Sequence, residues 1–187
     1  MISRSLALTG MMGAGKTTVG RRLAEVLGRR VVDTDDELRR WTGRSIPELF
    51  AEHGESGFRA LERQVVTELA KVPDLVIALG GGAVLDDDNV ASLLLTGVIV
   101  HLDVPVAELA ARLRTDGAAD DRPLLAGDLE AQLRATHAAR HERYREVADL
   151  VVDASAPVDE TVVAICAWAM EQGDVLTPSE HEQVMTT

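Results

Sequence analysis

The sequence has a single cysteine, Cys166, set inside an apolar helical pattern. That argues against a disulfide framework or a cysteine-built metal centre and suits a reducing cytoplasm. Positive charge is also scarce: 19 lysines and arginines face 31 acids, for a net charge of −12 and a pI of about 4.8. A general nucleic-acid surface is not expected on such a chain, and an anionic ligand needs a local cationic cluster. There is no run of about 18 apolar residues. The first residues show no basic stretch followed by an apolar core and cleavage site, so the expectation is a cytoplasmic protein with no membrane contact. Internal repeats and low-complexity blocks are missing too. What is present, 187 residues with 46% hydrophobic and 27% charged, is the make-up of one soluble globular domain with a substantial core.

The most informative stretch is residues 4–28, RSLALTGMMGAGKTTVGRRLAEVLG. A short apolar run is joined to an amphipathic helix by a loop of the form G-x-x-x-x-G-K-[ST], with Gly10, Gly15, Lys16 and Thr17 in the fixed places. Glycines let the backbone curl its N–H groups around phosphate oxygens, and the helix that follows adds its free amides and the positive end of its dipole. Lys16 brings a mobile cation to the β- and γ-phosphates, and the Thr17 hydroxyl suits magnesium. Val19, Leu23, Val26 and Leu27 recur at helical spacing, and Gly28 is placed to stop the helix in the left-handed conformation. This pattern predicts a nucleoside triphosphate site.

Four further short apolar runs follow. Arg30–Asp33 ends on an acid, Leu75–Leu79 runs into Gly80-Gly81-Gly82, Val98–Leu102 precedes Pro105, and Leu150–Asp153 leads to Ser155-Ala156-Pro157. Helical patterns lie between them: one near 36–43, one opened by Ser45 with Glu48 three residues on, a new one from about Gly57 after a break at Gly54, one after Pro105, one over 128–148, and a last one after Pro157. Residues 115–127, TDGAADDRPLLAG, lose periodicity and read as a mobile loop. The alternation predicts a three-layer α/β/α sandwich, with a five-stranded parallel sheet, a P-loop and a mobile lid. The domain is expected to span 1–172, with 173–187 a polar, loose tail.

In such a sheet the ligand lies at the carboxyl ends of the strands. Asp33 and Asp35, two residues apart at the end of an extended strand, should face opposite ways and take unlike tasks: Asp33 the magnesium shell, Asp35 a proton acceptor for an acceptor hydroxyl. Either could instead be the N-cap of the next helix. Arg59 and Arg140 are suited to grip a small carboxylate with their guanidinium forks, or else are ordinary surface ion pairs. Arg122, in the loop, suits a lid cation on the transferring phosphoryl group, or else is an ordinary loop arginine.

Taken together, GMMGAGKTTVGRRLA, DTDDELRRWTGRSIPELFAEHGESGFRALE, ALGGGAV, RPLLAG and RYREVADLVVD resemble the shikimate kinase family in order and spacing. The resemblance implies ATP-dependent phosphorylation of the 3-hydroxyl of shikimate, on the route to aromatic amino acids, by a monomeric enzyme with Mg2+ and a nucleoside-monophosphate-kinase-like fold. By motif, Gly13, Ala14, Gly15, Lys16, Thr17 and Thr18 would hold ATP, with Arg114 and Pro157 bordering the adenine and Arg122 in the lid. Thr17 and Asp33 would hold the metal. Asp35, Arg59, Gly81, Gly82 and Arg140 would hold shikimate, with Glu62 steadying Arg59, and Lys16, Asp35 and Arg122 would be catalytic. The lid is about one residue longer and more acidic than the family pattern, with Asp116, Asp120 and Asp121. A gluconate-kinase-like enzyme on the same fold, or a nucleotide-sensing module without phosphoryl transfer, are the other readings of the phosphate loop.

Overall fold

β1 (Ser5–Thr9) is buried along its whole length, and so is β3 (Leu75–Ala78). Side chains on a strand alternate between faces, so unbroken burial means that both faces of the sheet are covered. The computed structural model describes residues 3–115 and 129–186. Its five strands, with β2 at Arg30–Asp33, β4 at Gly97–Asp103 and β5 at Leu150–Asp153, are all parallel in the order β2-β3-β1-β4-β5. The first strand is therefore central. Register sets Leu8 and Asp33 level with Ala78, and Thr9 level with His101, so the loops after β1, β2 and β3 leave the same edge side by side.

Helices α1 (Lys16–Leu27), α2 (Thr34–Thr42), α3 (Ile46–Ala70), α4 (Asp87–Thr96), α5 (Val106–Thr115), α6 (Leu129–Val147), α7 (Val158–Glu171) and α8 (Pro178–Thr186) make the crossovers and close the chain. The apolar stripe of α1 is buried, and Gly28 ends it with φ 66°, as the sequence implies. Ser45 and Glu48 form the expected capping box. The break after Gly54 is narrower than expected. α3 runs on through Gly57, kinked only at Gly54 (φ 65°, ψ −176°), and Phe50 and Phe58 stack across the kink with centroids 4.1 Å apart. The sequence had suggested no helix between the triple glycine and β4, where the structure has a short 3-10 turn at Ala83–Leu85 and then α4.

The stretch after Gly173, expected as a loose polar tail, is built into the fold. Val175 and Leu176 are fully buried, and α8 packs on α1. Its Glu180 reaches Arg29, whose side chain is 1% exposed. A guanidinium buried that deeply needs every donor matched, and residues 175–180 supply most of the matches.

Candidate active site

The phosphate loop is fixed from both ends. At Gly10 (φ 146°) a Cβ would lie 2.7 Å from the Leu102 carbonyl of β4, so only glycine lets the chain turn that close to the neighbouring strand. Gly15 caps α1 with φ 88°, leaving the helix amides facing the loop. Lys16 Nζ donates to the carbonyls of Gly10 and Met11, both at 2.9 Å, so its charge sits at the loop's centre. Gly13 and the buried Ala14 make the turn, with the Ala14 amide donating to the Met11 carbonyl, and Thr18 is exposed on the first turn of α1.

Asp33 does two things at once. Its Oδ1 caps α2 by accepting from the Asp35 and Asp36 amides, while Oδ2 accepts from the Thr17 hydroxyl at 2.7 Å. The capping role, one of the two readings the sequence leaves open, is met by Oδ1, while Oδ2 stays on Thr17. The strand ends at Asp33, however, so Asp35 lies in the first turn of α2 and the expected opposite facing of two extended residues does not apply. Asp35 gains its position from the helix. Its Oδ1 and Glu62 Oε1 both lie 3.0 Å from where a Cβ on Gly80 would be, so Gly80 is bare to make room for two carboxylates.

Gly82 makes room for an arginine. A methyl group on Gly82 would overlap the Arg59 guanidinium, which lies over the turn and donates to Glu62 at 2.6 Å. Arg140, from α6, donates to the Gly81 carbonyl at 3.3 Å, and the Tyr144 hydroxyl donates to the same oxygen at 2.5 Å. Arg59 and Arg140, 81 positions apart in sequence (140 − 59), thus meet around two consecutive glycines. Burial pushes the Glu62 carboxyl above its ordinary value, against the pull of Arg59, and burial likewise raises the Tyr144 phenol against Arg140.

The remaining candidates are more loosely placed. Arg114 is exposed on the last turn of α5, 3.9 Å from Glu130, and Pro157 precedes α7. Arg112, which the sequence did not single out, ties α5 to the turn before Pro157 by donating to the Ala154 carbonyl at 2.8 Å. Two other residues also escaped the sequence reading. Thr34, buried between the two acids, accepts from the Gly80 amide at 2.8 Å and so locks the start of α2 to the glycine turn. Tyr144 is the chain's one tyrosine. Thr34 stands inside the D-T-D motif and Tyr144 inside RYRE, which is the signal that could have pointed to them. Arg122 and the acids of the lid lie outside the described residues.

A phosphate loop with its lysine, two acids at the next strand end, and a cationic pair facing them across a glycine turn define a P-loop kinase of small molecules. The match to known proteins is narrower than that class. The family model for shikimate kinase matches residues 12–170. Shikimate kinase from Synechococcus elongatus is 47% identical over 158 residues, covering 84% of this chain and 80% of that protein. The enzyme from Thermobifida fusca is 45% identical over 168 residues, 89% of this chain and 95% of that one. A solved structure of shikimate kinase from Acinetobacter baumannii in complex with shikimate superposes with a TM-score of 0.84 at 38% identity, covering 91% of this chain and 94% of that one. The chain belongs to the shikimate kinase family.

Proposed function

We propose that the protein transfers the γ-phosphoryl group of ATP to the 3-hydroxyl of shikimate, giving shikimate 3-phosphate and ADP on the route to aromatic amino acids, as a cytoplasmic monomer. The observation that carries this reading is the meeting of Arg59 and Arg140 around Gly81 and Gly82, beside Asp35. Two guanidinium groups at one turn form a grip for a carboxylate, and the acceptor's hydroxyl then falls toward the acid. Shikimate carries both groups on one small ring.

The hydroxyl oxygen forms a bond to the γ-phosphorus as the bond to the ADP oxygen breaks, in line, and Asp35 takes the hydroxyl proton. Lys16 at the loop centre and the α1 amides hold the phosphates in line with the attacking oxygen, so most of the acceleration comes from positioning and charge neutralisation. Arg122 adds a cation from the lid, and Arg114 and Pro157 border the adenine. Thr17 Oγ1 and Asp33 Oδ2, two hard oxygen donors 2.7 Å apart at the loop's mouth, fit Mg2+. That ion neutralises charge on the β- and γ-phosphate oxygens when bound.

The test is ADP release with Mg·ATP measured without acceptor, with shikimate and with gluconate at equal concentration. Turnover that appears only with shikimate is expected. Turnover with gluconate alone would refute the carboxylate grip, and ATP hydrolysis indifferent to both would refute the kinase reading. Asp35→Asn should lower shikimate-dependent turnover by at least about a hundredfold with ATP binding retained. Near-normal turnover would remove Asp35 from the role.

A further inference from the structure

β4 ends His101-Leu102-Asp103, and the first and last of these share a face because they are two residues apart on a strand. His101 is 2% exposed, with the Thr9 backbone beside its ring and no well-formed hydrogen bond to either nitrogen among the described residues. Thr9, level with it on β1, also carries a buried hydroxyl without a partner. An unsatisfied buried polar group costs about 1–3 kcal/mol, so a native fold that keeps one usually has a use for it.

Around His101 stand the groups that supply one. Its Nε2 lies 3.8 Å from Asp103 Oδ1, and Nδ1 of His141, on α6, lies 3.9 Å from the same oxygen. Both separations are too long for hydrogen bonds. They fit donors facing each other across a first-row ion, whose bonds to nitrogen and oxygen are about 2.0–2.2 Å. One donor atom from each residue lies within 4.8 Å of the other two. Ideal tetrahedral ligation needs about 3.3 Å between donors, which modest side-chain rotation supplies. Asp103 turns its other oxygen to Arg145 at 3.4 Å, so Oδ1 is the one left facing the imidazoles. The His141 ring is steadied by His137, stacked on it with centroids 4.4 Å apart.

We propose that His101, Asp103 and His141 form a binding site for a first-row divalent cation, zinc above all, separate from the magnesium position at Thr17 and Asp33. Two imidazoles and one carboxylate are a ligand set that zinc and its transition-row neighbours accept, with water completing the shell. The ion would pin α6 to β4. Since the His101 ring packs on Tyr144 at 5.1 Å and the Tyr144 hydroxyl holds the Gly81 carbonyl, the pin lies next to the turn that Arg140 also holds.

The test uses the full-length protein stripped with EDTA and titrated with zinc chloride in excess Mg2+, without nucleotide, following the ring C–H signals of all five histidines by NMR. One equivalent is expected to move the signals of His101 and His141 while His53 and His181 stay in place, and to raise the thermal midpoint. His141→Ala, at a half-buried position that tolerates truncation, and Asp103→Asn should each weaken zinc binding by more than the roughly tenfold loss seen when only an outer partner of a ligand is removed. Zinc uptake that leaves His101 and His141 unmoved, equal affinity in wild type and His141→Ala, or no uptake at micromolar zinc would each overturn the site.

Discussion

Arg29 and Arg59 each meet a glutamate, and the two pairs are built in opposite ways. Arg29 lies 151 residues from Glu180 and donates to both of its carboxylate oxygens, at 2.7 and 3.0 Å; it also donates to the carbonyls of Arg4 and Val175 and to the Ser3 hydroxyl. Arg59 meets Glu62 only three residues on, through one nitrogen, with the Phe58 ring beneath it and Glu55 at 3.8 Å. The glutamates report the difference. Burial pushes Glu180 up, but the hydrogen bonds from Arg29 and Thr177 outweigh it and hold the carboxyl below its ordinary value. At Glu62 burial outweighs Arg59 and the carboxyl is held above it. A guanidinium whose donors are used within the fold stabilises the fold; one with donors to spare, laid over a bare glycine, is suited to a ligand.

The most severe way to break this comparison is Glu180→Ala, which strands a buried cation. A loss of about 3–5 kcal/mol is expected in urea unfolding followed by circular dichroism, with turnover of the folded fraction little changed. Because the Glu180 carboxyl is depressed in the fold, its contribution is present above the ordinary value of 4.5 and fades as pH falls through the folded value. Wild type and variant should therefore converge in acid. A loss below about 1 kcal/mol at pH 7 would place the pair with ordinary surface bridges.

Arg59→Lys sharpens the other half. A point charge cannot replace the fork, so calorimetry should show shikimate binding weakened by about 1.5–3 kcal/mol, with unfolding stability within about 0.5 kcal/mol of wild type. Unchanged affinity would take Arg59 out of the substrate grip. The smallest effect belongs to Glu62→Gln. A raised carboxyl contributes stability fully below 4.5 and loses it as pH rises through the folded value, so wild type should decline over that window while the glutamine variant stays level. Parallel pH profiles would show that Arg59 neutralises Glu62 after all.

How much of this the sequence disclosed depended on how local the cause was. The phosphate loop, the five strands, the Gly28 stop and the Ser45–Glu48 box each follow from residues within a few positions of one another, and all of them appear in the structure. The direction of Asp35 did not follow, because it hinged on whether the strand ended one residue earlier, at the Asp33 cap. α8 was invisible for a different reason. Its anchor is two apolar residues, Val175 and Leu176, too few to show a period, and one glutamate whose partner is fixed at the far end of the chain. The triple glycine signalled a close approach but not its object, which turned out to be two carboxylates at Gly80 and an arginine at Gly82.

The Arg29–Glu180 bond also has a consequence for synthesis. Arg29, just past the end of α1, has both of its carboxylate oxygens on a residue made 151 positions later. Until residue 180 clears the exit tunnel, every nascent chain carries an unmatched cation where the finished protein has a sealed one. A premature stop between residues 82 and 180 thus yields a product with the whole phosphate loop, both acids and the glycine turn, yet without the partner of Arg29. Quality control can distinguish the two by stability alone, without reading the active site.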